Sequence, residues 1–268
     1  GEGGDPDEMM RAALEMRTGG GGGGVRKKRG KKKKKPTPTM PGLRPGSHTG
    51  PVMSLSWNSV HRQVLASGSA DATVKVWDVT RASSSSSSGD NNPCAATFSH
   101  HRDKVPAISW HPSEGSLLAS GSYDRTVSLA DARTPDGSSA RNVGTKADVE
   151  AVAWDPHRGQ FLSAACDDGT VSTWDVRNFD AGPVTKFVAH EFGGVTDLSY
   201  NAHVPGLLAT CAVDGTVALW DAHSPNGDVR HPRASREMGA GKLYAMAFYP
   251  SSPWLLGCGG GGNQLALW

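Results

Sequence analysis

The sequence predicts an all-β protein, a β-propeller built from one unit used five times. Three observations predict it. Five aromatic residues are each followed, 20 positions later, by the end of a strand that should carry Trp-Asp: Trp57/Trp77, Trp110/Ala130, Trp154/Trp174, Tyr200/Trp220 and Phe248/Trp268. Successive pairs begin 53, 44, 46 and 48 residues apart, so the period varies while the 20-residue core does not. Fixed inner strands with connections free to grow are what a repeated supersecondary unit produces. Each copy also holds short alternating strands parted by turn residues, as the blades of a propeller require.

The unit opens on an alternating inner strand: Val52–Trp57, Val105–Trp110, Val149–Trp154, Val195–Tyr200 and Leu243–Phe248. Period-two alternation of branched and aromatic residues is a strand signal. A turn follows, marked by His111-Pro112, Asp155-Pro156 or Tyr249-Pro250. Eight residues after each aromatic stands a leucine: Leu65, Leu118, Leu162, Leu208 and Leu256. Small residues follow it, so this second strand packs closely near the axis. A tight turn with Asp71, Asp124, Asp168 or Asp214 leads to a third strand, which reads Thr-Val-x-x-Trp in three of the five copies.

These units look like WD repeats. There a His, a Ser or Thr, the turn Asp and the Trp indole N–H satisfy one another, because a buried polar group left unpaired costs roughly 1–3 kcal/mol. The first copy offers His48, Ser69, Asp71 and Trp77. The second has His101, Ser122 and Asp124, with Ala130 in place of Trp. The third has Asp168 and Trp174, with Thr145 and Cys166 at the other two places. The fourth has His190, Asp214 and Trp220, with Ala212 in place of Ser. The fifth keeps Trp268, and Gly262 stands where Asp is expected. A structural role for these networks makes the second and fifth blades the looser ones.

The predicted domains are a segment 1–47 outside any blade, largely disordered, and a propeller 48–268. Its repeats run at about 48–100, 101–144, 145–189, 190–238 and 239–268. The fifth lacks an outer strand, and exposed sheet edges are normally covered. The expectation is a seven-bladed propeller cut from a longer chain, with further blades upstream. A helix starting at Asp5-Pro6 and running to about Arg17 is marginal at this length. The serine run Ser83–Ser88 lengthens one surface loop. Four cysteines (Cys94, Cys166, Cys211, Cys258) show no metal-like spacing; three sit in inner strands as small core residues, a reducing-compartment pattern.

Charge is unevenly spread. Residues 1–35 carry 11 basic and 5 acidic side chains, and residues 36–268 carry 17 and 21. The basicity sits in Arg26, Lys27, Lys28, Arg29, Lys31, Lys32, Lys33, Lys34 and Lys35. Such a run is a nuclear-targeting signal, a solvated linker or a phosphate-binding arm for RNA or chromatin. It holds no aromatic, so it offers no base stacking. No apolar run suggests a membrane. Gly257, Gly259 and Gly262 fit G-x-G-x-x-G, but a strand follows rather than a helix, so no phosphate cradle is expected. The histidines form no metal-ligating pair, and no nucleophile–base pairing stands out. The chain reads as a non-enzyme without cofactor or metal.

The run His48–Trp57, then Val64–Asp78, preceded by polylysine, resembles the periodic tryptophan protein 1 family; so do Gly121–Arg133 and the Asp167-Asp168-Gly169 turn. The resemblance covers roughly residues 26–268. It implies a WD-repeat scaffold of ribosome biogenesis in the nucleus and nucleolus, tied to ribosomal RNA production and to chromatin, with about two more blades upstream. Candidate partner-binding residues lie beside the turn aspartates, at Ala70, Tyr123, Asp167 and Val213. Tyr123 with Arg125 leads, because Tyr and Arg dominate binding hot spots. The alternatives are a chromatin- or histone-binding propeller and a substrate receptor of a cullin-RING ubiquitin ligase. For the latter, Trp174-Asp175-Val176-Arg177 fits a W-D-x-R box, and Ala130–Arg133 is a degenerate copy ending in Arg133.

Overall fold

The computed structural model describes residues 46–83, 92–134, 138–224, 229 and 231–268. The helix expected at 5–17, the basic run 26–35 and the serine loop beyond Ser83 lie outside the described residues.

The described chain forms five antiparallel sheets in sequence order. The first blade is β1 (Val52–Trp57), β2 (Val64–Ser69), β3 (Val74–Asp78) and β4 (Cys94–Phe98). A short helix, α1 (Val79–Ser83), follows β3. The second blade is β5 (Ala107–Trp110), β6 (Leu117–Ser122), β7 (Thr126–Asp131) and β8 (Arg141–Gly144). The third is β9 (Val149–Trp154), β10 (Phe161–Cys166), β11 (Thr170–Asp175) and β12 (Thr185–Val188), with a 3-10 segment Val176–Ala181 after β11. The fourth is β13 (Val195–Tyr200), β14 (Leu207–Ala212), β15 (Thr216–Asp221) and β16 (Ala234–Glu237). The fifth has three strands, β17 (Leu243–Phe248), β18 (Leu256–Gly260) and β19 (Leu265–Leu267).

Every blade is a meander, because tight turns join consecutive antiparallel strands. The register is the same in each: Trp57 faces Leu65, which faces Trp77, and Tyr200 faces Leu208, which faces Trp220. The constant 20-residue spacing is therefore the length of two strand crossings. Inner strands β1, β9, β13 and β17 each slip by one residue near their start. The slip leaves Met53, Glu150, Thr196 and Tyr244 as bulged positions. In the second blade Pro106 takes that place and β5 begins one residue later, since proline has no N–H to donate.

The core lies between blades. Trp174 packs with residues of the second and third blades, and Trp220 with the third and fourth. Each repeat tryptophan thus faces the preceding blade, and so does the inner-strand aromatic. Trp110 and Trp154 are each 5% exposed, but Trp57 is 59% exposed. Trp77 is only half-buried. At the other end, Leu265 is 75% exposed although its counterparts Val74, Val127, Val171 and Val217 are buried. Among the described residues, the first and fifth blades each present one uncovered apolar face.

Candidate functional site

The hydrogen-bond network is resolved in the fourth blade. Trp220 Nε1 donates to Thr210 Oγ1 at 2.9 Å, Thr210 meets His190 Nε2 at 2.9 Å, and His190 Nδ1 faces Asp214 at 3.2 Å. The Asp214 carboxylate can only accept, so it selects the tautomer with the proton on Nδ1, and the Thr210 hydroxyl, accepting from the indole, donates to Nε2. The neutral ring then carries its proton on Nδ1, toward the carboxylate. Burial lowers the His190 pKa and keeps the ring neutral, although Asp214 pulls the other way. The first blade repeats the chain through Trp77, Ser67, His48 and Asp71.

The hydroxyl is therefore Ser67 rather than Ser69, Ser120 rather than Ser122, and Thr210 where Ala212 marked a gap. Strand alternation puts residues 67 and 69 on one face about 7 Å apart, and only the nearer one meets the ring of His48. Ser69 and Ser122 instead accept the N–H of Asp71 and Asp124 and brace the turns. Alanine, Ala164, occupies the hydroxyl place in the third blade, ten residues after Trp154 as Ser67 is after Trp57. Asp168 there holds Thr170 through its backbone N–H and its hydroxyl.

The second blade lacks its tryptophan but not the donor. His100 Nε2 lies 3.1 Å from Ser120 Oγ, which also meets His101 Nε2 at 2.8 Å. His101 Nδ1 continues to Asp124 at 3.1 Å. The imidazole of His100 thus fills the place of the missing indole. Burial first, and the neighbouring His101 second, push its pKa down to about 4.

A second repeated device sits at the opposite ends of the strands. In the first four blades the residue after the inner aromatic caps its own turn and reaches the next blade. Asn58 Oδ1 accepts the N–H of Val60 and His61, while its Nδ2 donates to Gly115 O at 2.8 Å. His111 does the same with Ser113, Glu114 and Gly159 O, and Asn201 with His203, Val204 and Pro253 O. In the third blade Asp155 caps the turn, and its Oδ2 lies 2.5 Å from His223 Nε2. Sequence reasoning saw His111 and Asp155 only as turn markers and did not single out Asn58 or Asn201. Their signal was a polar residue at a fixed place after each aromatic.

The candidate binding residues fall on two opposite ends. Tyr123, Arg125 and Asp167 lie in the β6–β7 and β10–β11 turns, beside the turn aspartates. Arg133 and Arg177 follow β7 and β11 at the far end. Tyr123 Oη donates to Glu150 Oε2 at 3.0 Å, tying the second blade to the third. Arg125 is exposed at φ 64°. Arg177 forms a bidentate pair with its own Asp175, at 2.9 and 2.5 Å, and keeps 69% of its side chain in solvent. Arg133 does the same with Asp131. Phe192, 89% exposed at the Tyr123 end, is a surface aromatic that the sequence reading did not single out. A cavity of about 330 Å³ opens among the inner strands, lined by residues of all five blades. Among the described residues, no group of three or more His, Cys, Asp or Glu is placed to hold a metal. No described helix is long and apolar enough to cross a membrane. Gly257 and Gly259 lie within β18 and Gly262 in the turn to β19.

The WD domain, G-beta repeat family matches residues 42–78, 92–131, 138–175 and 181–221. The chain belongs to the WD-repeat family. Within it, the chain is similar to periodic tryptophan protein 1 of Saccharomyces cerevisiae, 31% identical over 62% of this chain and 28% of the relative. The Drosophila melanogaster periodic tryptophan protein 1 homolog is 27% identical over 80% of this chain and 44% of its own length. The RbAp48-related WD40 repeat-containing protein prw1 of Schizosaccharomyces pombe is 36% identical over 40% of this chain and 25% of its own. The chain spans less than half the length of these curated relatives. The resemblance to periodic tryptophan protein 1 drawn from the sequence fits these matches. A WD-repeat propeller is generally a scaffold that binds other proteins.

Proposed function

We propose that the chain serves as a protein-interaction scaffold in ribosome biogenesis, acting in the nucleus and nucleolus. The similarity to periodic tryptophan protein 1 homologues over up to 80% of the chain carries this reading. The basic run 26–35, directly before the first blade, supports it. In this reading the face around Tyr123, Arg125 and Asp167 grips a protein partner, and the basic run adds sequence-independent attraction to pre-ribosomal RNA or chromatin. Engagement of about six phosphates makes that attraction fall roughly a thousandfold between 50 and 200 mM salt.

The test is crosslinking and affinity purification from cells. The chain is compared with a version whose residues 26–35 are neutral and which carries an independent nuclear signal. Loss of pre-ribosomal RNA with the charges assigns nucleic-acid binding to the run. Persistence makes the run an address and leaves recognition to the propeller. Absence of ribosome-assembly factors from both samples overturns the proposal. Capture of a cullin adaptor, lost on Arg177→Ala, replaces it with the ligase reading.

A further inference from the structure

The β6–β7 turn of the second blade gathers cations. Arg102, Lys104, Arg125 and Lys146 come from three segments, and all four are exposed. Main-chain contacts fix each segment to that turn. The Arg102 N–H donates to Asp124 Oδ2 at 2.8 Å, and Lys104 O accepts the Tyr123 N–H at 3.0 Å. Arg125 O accepts the N–H of Thr145, the residue before Lys146, at 2.8 Å. The anchoring uses the backbone, so the side chains stay available. None of the four enters an ion pair or a side-chain hydrogen bond among the described residues. At the opposite end of the blades, by contrast, Arg81, Arg133, Arg177 and Arg233 are each held by an aspartate.

The other blades do not repeat this accumulation. The place of Arg125 has positive φ in every blade, and the others hold Ala72, Gly169, Gly215 and Asn263 there. Such a φ suits glycine and strains a residue with a Cβ, yet the second blade puts a guanidinium at it. The corresponding places around the third-blade turn are Lys146, Asp148, Gly169 and Glu191. Asp167 and Asp168, both exposed, stand beside them. Around the first-blade turn they are Thr49, Pro51, Ala72 and Arg102. The positive charge is therefore centred on the second blade and bordered by carboxylates of the third. Within it lies the exposed Asp103, whose Oδ1 accepts the Lys104 N–H at 2.8 Å.

We propose that this patch docks a short acidic segment of a protein partner, one that carries several carboxylates. Clustered cations without carboxylate partners raise the local concentration of anions, and guanidinium forks match carboxylate geometry. The cations come from three segments, so carboxylates spread along a chain match them better than one phosphate group does. A long polyanion such as RNA would run from the patch onto Asp148, Asp167 and Asp168, where like charge repels it. This inference rests on reading the propeller as a protein-interaction scaffold, and it names the chemistry of the partner.

The probe is acetyl-Gly-Glu-Glu-Glu-Glu-Gly-amide, with its all-Gln counterpart as control. Both are titrated at low salt into the full chain with residues 26–35 made neutral, so that the basic run does not compete. The Glu peptide is expected to bind, more weakly as salt rises, and the Gln peptide not measurably. Arg125→Gly should weaken binding roughly two- to fivefold, the contribution of one exposed charge. It should not lower the melting temperature, since glycine suits the positive φ. Changing Arg102, Lys104 and Lys146 to Gln as well should abolish binding. Equal binding of the Glu and Gln peptides overturns the patch. So does unchanged affinity in both variants, or tighter binding of decauridylate or of a peptide with a single phosphoserine at the same residues. Purification of ribosome-assembly factors by the same chains separates the two readings. Capture of the factors by a chain that ignores the Glu peptide sinks the patch and leaves the scaffold standing. Binding of the Glu peptide without capture of any factor sinks the scaffold in ribosome biogenesis and leaves the patch.

Discussion

Thr210→Val is a near-isosteric change that tests the network directly. It keeps the β-branched shape in β14 and removes one hydroxyl. That hydroxyl accepts from Trp220 Nε1 at 2.9 Å and meets His190 Nε2 at 2.9 Å, and all three residues are buried. The substitution strands an indole donor and an imidazole acceptor at once. At roughly 1–3 kcal/mol for each unsatisfied group, the loss is about 3 kcal/mol. For a chain of this size that corresponds to a fall in Tm of about 6–12 °C. The assay is thermal and urea unfolding of parent and variant. Ser69→Ala is the control: Ser69 only braces its turn, through Asp71 N–H and Pro51 O, and should cost about 1 kcal/mol. A loss below about 1 kcal/mol for Thr210→Val, or a larger loss for Ser69→Ala, would refute the network as drawn.

Three further outcomes are expected. Ala130→Trp should destabilise the parent, because His100 already occupies the indole's place, yet stabilise a His100→Ala background. Denaturant melts of the four combinations should show this coupling, and additive effects would mean that His100 is not the substitute. Trp57→Ser should cost under about 1 kcal/mol and Trp154→Ser about 3–5 kcal/mol, since the first is 59% exposed and the second 5%; similar costs in the same melts would show that the first blade's face is covered in solution. Stability should fall in acid by two steps of one sign. His48, His101 and His190 have pKa values lowered by burial, so below 6.5 the unfolded chain takes protons that the fold refuses. Burial works against Asp71, but Thr73, the Thr49 N–H and His48 hold it down at about 2, so its contribution fades as pH falls from 3.8 toward that value. A Tm that stays level or rises between pH 6.5 and 4 would contradict this.

The sequence by itself determined the repeat, its strands and their register. A 20-residue spacing between Trp57 and Trp77, or between Tyr200 and Trp220, leaves one way to run two antiparallel crossings. The turn aspartates were legible for the same reason, since Asp71, Asp124, Asp168 and Asp214 each sit 14 residues after their aromatic, and the histidines nearly so, with His190 one residue out of register. The choice between Ser67 and Ser69 was not legible, because both occupy one face of one strand and only the ring position of His48 selects between them. His100 was invisible as a replacement for tryptophan, since it lies 30 residues from Ala130 in the chain and only the fold brings it to Ser120. The split of Tyr123 and Arg125 from Arg133 and Arg177 follows from strand direction, which sends alternate turns to opposite ends of the propeller. The axial cavity was decided by tertiary structure alone. Met53, Glu150, Thr196 and Tyr244 share no chemical type, and only the convergence of four inner-strand bulges brings such different side chains to a common wall.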